Sequence, residues 1–176
     1  LWQNGYYYQS NAAVRDAADL VIDTSRLRTA DLRSRLRRAF SELTDQQLME
    51  VSVFSFGFKH GMPVEADLMI DVRFLPNPFY DPVMRTLTGK DQLVADFVLG
   101  NPTTEKFMDA WERLLDVVMP GYVTEGKSHL SIAVGCTGGQ HRSVAIAEAT
   151  ASYLEKGGYH VSISHRDLAL ANVRTS

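Results

Sequence analysis

Residues 130–158 restrict the fold more than any other part of this sequence. Residues 130–134 (LSIAV) read as a buried-type strand and residues 135–143 (GCTGGQHRS) as a glycine-rich loop. A helix follows from about His141 to Lys156 and is ended by Gly157 and Gly158. Similar signals recur along the chain. Residues 50–56, 67–72 (DLMIDV) and 159–163 each predict a strand. Asn101 before Pro102 is an N-cap with proline at the first helical position. The apolar stripe Phe107, Trp111, Leu114, Leu115 and Val118 follows, and Pro120-Gly121 is expected to stop that helix. Residues 73–82 (RFLPNPFYDP) carry three prolines and an asparagine and read as a rigid loop. Strands alternating with helices predict an α/β layered sandwich with a mainly parallel, Rossmann-like sheet of about four to five strands. Ligands of such sheets sit beyond the carboxyl ends of the strands, here the loops after Val72 and Val134.

The first 48 residues are less regular. Residues 1–12 (LWQNGYYYQSNA) have neither period. Their end is similar to a tobacco-etch-virus protease tag remnant, LYFQSNA, with Tyr6 and Tyr8 in place of leucine and phenylalanine. They are expected to be tag or unstructured sequence, with native sequence from about Ala13. Residues 19–24 (DLVIDT) read as a short strand. Leu32, Leu36, Phe40 and Leu43 then fall at helical spacing. Six of the 18 basic residues lie between Arg26 and Arg38. They read as a solvated helix face, with an RNA-binding patch as the alternative.

A length of 176 residues with 45% hydrophobic content predicts one domain with a real core. Lys plus Arg is 18 and Asp plus Glu 21, so the net charge of −3 does not mark a broad nucleic-acid binder. The single cysteine, Cys136, excludes an internal disulfide and a multi-thiolate zinc site, and suits a reducing cytoplasm. No apolar run approaches the ~20 residues of a membrane span, and no signal peptide is visible. A cytoplasmic protein with no membrane partner is expected.

Three motif matches need a context test. Residues 121–128 (GYVTEGKS) satisfy the Walker A pattern. A P-loop needs a strand before it and a helix after it, so that the helix N-terminus faces phosphate. Here a helix precedes and a strand follows, so the match reads as an ordinary turn, with Lys127 a weak candidate for ligand contact. Residues 165–172 (HRDLALAN) satisfy the kinase catalytic-loop pattern, but no D-F-G segment exists and only four residues follow Asn172. His165 and Arg166 still lie just past the last strand. The third match fits its context. In GCTGGQHRS, Gly138 and Gly139 allow a tight loop, the next helix adds its N-terminal partial charge, and Arg142 adds a bidentate donor. Together they make an anion cradle, most naturally for phosphate; the alternative is a glycine turn capped by Ser143. The same segment is C-x5-R, Cys136 to Arg142, the phosphatase signature of a thiolate nucleophile and an oxygen-binding arginine. Asp71 or Asp81 could serve as its general acid, while Gly135 stands where that signature usually has histidine.

The run GKSHLSIAVGCTGGQHRSVAIAE (residues 126–148) resembles the C-terminal domain of the RNase adapter RapZ family, also called the YvcJ family. So do SFGFKHG (55–61), DVRFLPNPF (71–79), LTGKD (87–91) and SHRD (164–167). The resemblance spans residues 19–168. With residues 1–12 set aside as tag or disordered sequence, it implies 13–48 as linker and helix from a junction with an N-terminal P-loop domain absent here, and 49–176 as the RapZ-like domain. ATP or GTP is expected only on that absent domain, and no cofactor, metal or catalytic residue in this one. The resemblance further implies a regulatory module that binds glucosamine-6-phosphate or a similar phosphorylated sugar, a small RNA and a ribonuclease as partners, and a homo-oligomer. The sugar-phosphate site it implies is built from the motifs that match Asp71 and the loop of Cys136, Thr137, Gly138, Gly139, Gln140, His141 and Arg142; the residues themselves add Arg73, Asn77 and Ser143 as candidates, with Lys59, His60, His165 and Arg166 as secondary positions. Two departures stand out. Enteric members have histidine where this chain has Phe79, and end in a lysine-rich tail where this chain ends NVRTS with Arg174.

Overall fold

The computed structural model describes residues 14–40 and 49–168. The chain divides into two compact units, residues 1–42 and 43–176. In the first unit, helix α1 (Thr29–Phe40) carries the periodic leucines, with Arg28 and Asp31 paired across its first turn at 3.0 Å. Leu43 and residues 1–12 lie outside the described residues. The strand expected over residues 19–24 is not formed. Its backbone has no ladder partner among the described residues, and Ser25 N–H donates instead to Asp23 Oδ1 (2.9 Å) in a local turn.

The second unit is an α/β layered domain. Its strands are β1 (Glu50–Gly57), β2 (Leu68–Asp71), β3 (His129–Cys136) and β4 (His160–His165), its helices α2 (Gln92–Leu99), α3 (Pro102–Glu125) and α4 (Arg142–Lys156). The four strands form one sheet in the order β2-β3-β1-β4, and every pairing is parallel. Val51, Val53, Leu130, Ile132 and Val134 share one buried cluster with Val94, Trp111, Leu115, Ile146 and Leu154 of the helices. Parallel strands covered this way read as near-continuous apolar runs, which is why residues 130–134 announce β3 so clearly.

Two helical expectations change. Pro120 does not end α3, which continues to Glu125 and closes on left-handed Gly126 (φ 82°). Proline removes a single helical hydrogen bond. Packing of Trp111, Leu115 and Met119 in the core carries the helix through, and Thr124 Oγ1–H donates to the Pro120 carbonyl at 2.9 Å. The buried stripe is therefore Trp111, Leu115 and Met119, while Leu114 is 46% exposed. Helix α2 was not expected, because eight residues with only Val94 and Val98 buried give too short a periodic signal.

Register brings the functional candidates together. Gly57 pairs with Cys136, Asp71 with Gly135, and His165 with Ser55, so the loops after all four strands open on one sheet edge.

Candidate functional site

The loop after β3 leads directly into α4, whose first helical bond runs from Ala145 N–H to the His141 carbonyl. The amides before it, Arg142 to Val144, have no acceptor one turn back and face the loop with the positive end of the helix. Gly139 holds φ 76°, and a Cβ there would stand 2.7 Å from Gly57 N and 2.9 Å from Asp167 Cβ. Gly57 is equally constrained, since its Cβ would meet the Gly138 carbonyl carbon at 2.6 Å. Glycine is needed on both loops because their backbones touch. Thr137 is exposed and Gly138 half-buried, so the open side of the loop lies there.

Cys136 and Ser143 line the inner side. The Cys136 sulfur is buried, accepts the Gly139 N–H at 3.2 Å and lies 3.1 Å from Ser143 Oγ. Arg142 is 5% exposed. Its Nη1 donates to the carbonyls of Arg73 (2.6 Å) and Leu75 (3.1 Å), and Nη2 reaches toward Thr137 Oγ1 at 3.5 Å. The sequence suggests an arginine free for a ligand; the fold commits one of its nitrogens to fastening the loop after β2 onto α4.

That loop presents Asp71 and Arg73 as a bidentate pair, with Nη2–Oδ2 at 2.6 Å. The hydrogen bond from Arg73 is the main cause that holds the Asp71 carboxyl below its ordinary range, and Arg142 adds to it. The Arg73 guanidinium also stacks 4.2 Å over the Phe58 ring. Asn77 faces its own backbone, its Oδ1 accepting Phe79 N–H to cap a short 3-10 turn. Phe79 is 52% exposed. Gln140 joins the loop to residues 87–91 through its carbonyl, which accepts Gly89 N–H at 2.8 Å. The His141 ring is buried beside the backbone of Met84, Arg85 and Leu87, and burial is the main cause lowering its pKa. Its Nε2 has no hydrogen-bond partner among the described residues.

Lys59 and His60 lie on the short turn after β1 (Phe58–His60). The Lys59 ammonium lies over Gly138, 3.6 Å from the point a Cβ would occupy. His165, Arg166 and Asp167 of the SHRD segment are all engaged. His165 bridges Ser55 Oγ (Nδ1, 2.9 Å) and Glu148 Oε1 (Nε2, 3.0 Å), and Glu148 also pairs with Lys90 at 3.2 Å. Ser55 is fully buried, so this Ser–His–Glu chain is a structural tie and not an accessible nucleophile. Arg166 and Asp167 grip the backbone of the loop after β1. Sequence reasoning did not single out Asp167, Glu148 or Gly57; the available hints were the runs SHRD, 126–148 and SFGFKHG that contain them.

The remaining matches separate from this edge. In residues 121–128, the end of α3 and its glycine cap replace the expected turn. Lys127 is paired with Asp67 at 2.7 Å, just before β3 begins, at the opposite end of the sheet from the glycine loop. A cavity of about 470 Å³ between α3 and α4, lined by Leu115, Met119, Tyr153 and Tyr159, holds none of the candidate residues. Among the described residues no group of three or more His, Cys, Asp or Glu is placed to hold a metal, and no helix is long and apolar enough to cross a membrane.

Comparison with known proteins places this arrangement. The family model for the RapZ C-terminal domain matches residues 49–169, which include the whole sheet and all four of its carboxyl-end loops. The chain belongs to the RapZ C-terminal domain family. A nucleotide-binding protein of Syntrophomonas wolfei is 51% identical over 157 residues, covering 89% of this chain and 53% of the relative. One from Desulfitobacterium hafniense is 47% identical, covering 89% and 52%, and one from Lactiplantibacillus plantarum 49% identical, covering 89% and 53%. This RapZ-family chain thus spans about half the length of the curated relatives it matches.

Proposed function

We propose that this domain is a regulatory sensor for a phosphorylated sugar, with glucosamine-6-phosphate as the leading ligand, within a longer nucleotide-binding RNase adapter. The observation that carries the reading is convergence at one sheet edge. A glycine loop, a helix N-terminus, a buried arginine, an ion pair after β2 and a lysine without an ion pair among the described residues all meet there. Thr137, Gly138 and the first turn of α4 receive the phosphate, with Arg142 Nη2 and Lys59 as its cations. Asp71, held ionised by Arg73, accepts from a sugar hydroxyl or ammonium. ATP or GTP belongs to the other half of the full-length relatives, and small RNA and a ribonuclease are partners of the assembled cytoplasmic homo-oligomer.

A C-x5-R phosphatase is the competing reading, favoured by the Gly139 N–H and the Ser143 hydroxyl beside the Cys136 sulfur. Three observations weigh against it. Asp71 has a lowered pKa, where a general acid needs a raised one. The other candidate, Asp81, accepts the Val83 and Met84 amides at 2.8 and 3.0 Å. A side chain at Gly135 would meet the Phe56 ring at 2.5 Å, so the signature histidine does not fit.

Calorimetry with glucosamine-6-phosphate, glucosamine and inorganic phosphate tests the proposal. Saturable binding of the sugar phosphate, unmatched by glucosamine, is expected. Equal affinity for glucosamine, or thiol-dependent hydrolysis of an aryl phosphate, would overturn it.

A further inference from the structure

We propose that Arg166 and Asp167 are positioning residues for anion recognition, and that they act through Lys59. The inference rests on the sugar-phosphate reading above and says how its affinity is set. Lys59 stands alone in the middle of a five-residue turn, residues 57–61, between two glycines. By itself such a turn would not keep the backbone at Lys59 in one place, and the reach of its ammonium would shift with it.

The fold supplies the restraint from β4. Asp167 is 2% exposed, and its Oδ2 accepts the Gly57 N–H at 2.6 Å. Arg166 Nη2 donates to the carbonyls at both ends of the turn, Gly57 (3.2 Å) and Gly61 (2.8 Å), and to Asp167 Oδ2 at 2.8 Å. Arg166 is itself anchored, its amide donating to the Ser55 carbonyl at 3.0 Å. From the other side, Lys59 N–H donates to the Thr137 carbonyl at 3.2 Å. With its ends and middle fixed, the turn delivers the Lys59 ammonium over Gly138 on the open side of the loop.

The cations around it are otherwise engaged. Arg73 pairs with Asp71, Lys90 with Glu148, Arg166 with Asp167, and Arg142 donates to two carbonyls. Among the described residues Lys59 forms no ion pair. It is the cation a phosphate dianion can engage without breaking an existing contact, which makes it a main determinant of phosphate over hydroxyl.

The test is a double-mutant cycle on the whole domain, with glucosamine-6-phosphate as probe and calorimetry as readout. Lys59→Ala and Asp167→Asn are each expected to weaken binding about tenfold or more, and to reduce its salt dependence. The pair Lys59→Ala/Asp167→Asn is expected to bind no worse than Lys59→Ala alone, because Asp167 acts through the lysine. Lys59→Arg is expected to retain part of the affinity. Should Asp167→Asn not fold, Arg166→Gln, at an exposed position, replaces it in the same cycle. Additive losses, or an Asp167 variant with wild-type affinity and salt dependence, would overturn the clamp while leaving the sugar-phosphate reading intact. A wild-type domain that does not bind the sugar phosphate would remove that reading, and this inference with it.

Discussion

Replacing Arg142 by alanine should damage both the fold and the site, in proportions that can be worked out. The guanidinium is 5% exposed and Nη1 serves the carbonyls of Arg73 and Leu75. Leu75 is buried, so its carbonyl would lose a charged donor with little water to replace it, a loss of roughly 1–3 kcal/mol. Arg73 is exposed and its carbonyl can be rehydrated, so that share is smaller. With the packing of the lost side chain, the expected destabilisation is about 2–4 kcal/mol. For a domain of this size that lowers the thermal midpoint by roughly 5–15 °C. Ligand affinity should fall by a further ~2–4 kcal/mol, since Nη2 is the guanidinium nitrogen reaching toward the open side of the loop. Arg142→Lys restores charge without the fork and should recover less than half of either loss. Urea unfolding gives the first quantity and calorimetry with glucosamine-6-phosphate the second. An alanine variant with a wild-type urea midpoint would refute the reasoning about the β2 loop. Unchanged sugar-phosphate affinity would refute the placement of the cradle.

Three other substitutions probe separate parts of the account. Cys136→Ser should keep sugar-phosphate affinity within about threefold, because the sulfur faces the inner side of the loop; a large loss by calorimetry would place the thiol in contact with the ligand. Lys127→Ala should leave any affinity for Mg-ATP unchanged, since Lys127 pairs with Asp67 away from the glycine loop and no helix follows it; tight nucleotide binding abolished by the change would contradict that topology. Asp167 gives a pH signature. Burial raises its pKa, but the hydrogen bonds from Arg166 and Gly57 outweigh this and leave it lowered. Its contribution is therefore complete above the unfolded carboxylate value of about 4 and is lost as pH falls through the folded value. The stability gap between wild type and Asp167→Asn should be constant near neutrality and shrink below about pH 4 in urea melts; a gap that widens on acidification would reverse the sign.

Much of this protein was legible as sequence because its strongest signals are local. Residues 130–134 declare β3 by their apolar run, Asn101-Pro102 sets the start of α3, and Gly157 ends α4. The helix–loop–strand order that disqualifies the Walker match is likewise written along the chain. Tertiary structure decided whatever depends on partners distant in sequence. Pro120 looks like a stop until Trp111, Leu115 and Met119 are seen packed in a common core. Arg142 looks free until the Arg73 and Leu75 carbonyls, some 70 residues earlier, are found at its Nη1. Lys127 sits in a phosphate-binding pattern and Lys59 does not, yet the sheet puts Lys127 beside Asp67 and Lys59 over Gly138. Asp167 lies in a run whose kinase-like pattern points to the wrong chemistry, and its role appears only when β4 pairs with β1 and brings it within 2.6 Å of Gly57 N. Periodicity and capping are properties of neighbouring residues, so a sequence displays them; hydrogen-bond and charge partners across a parallel sheet are set by register, and register exists only in the folded chain.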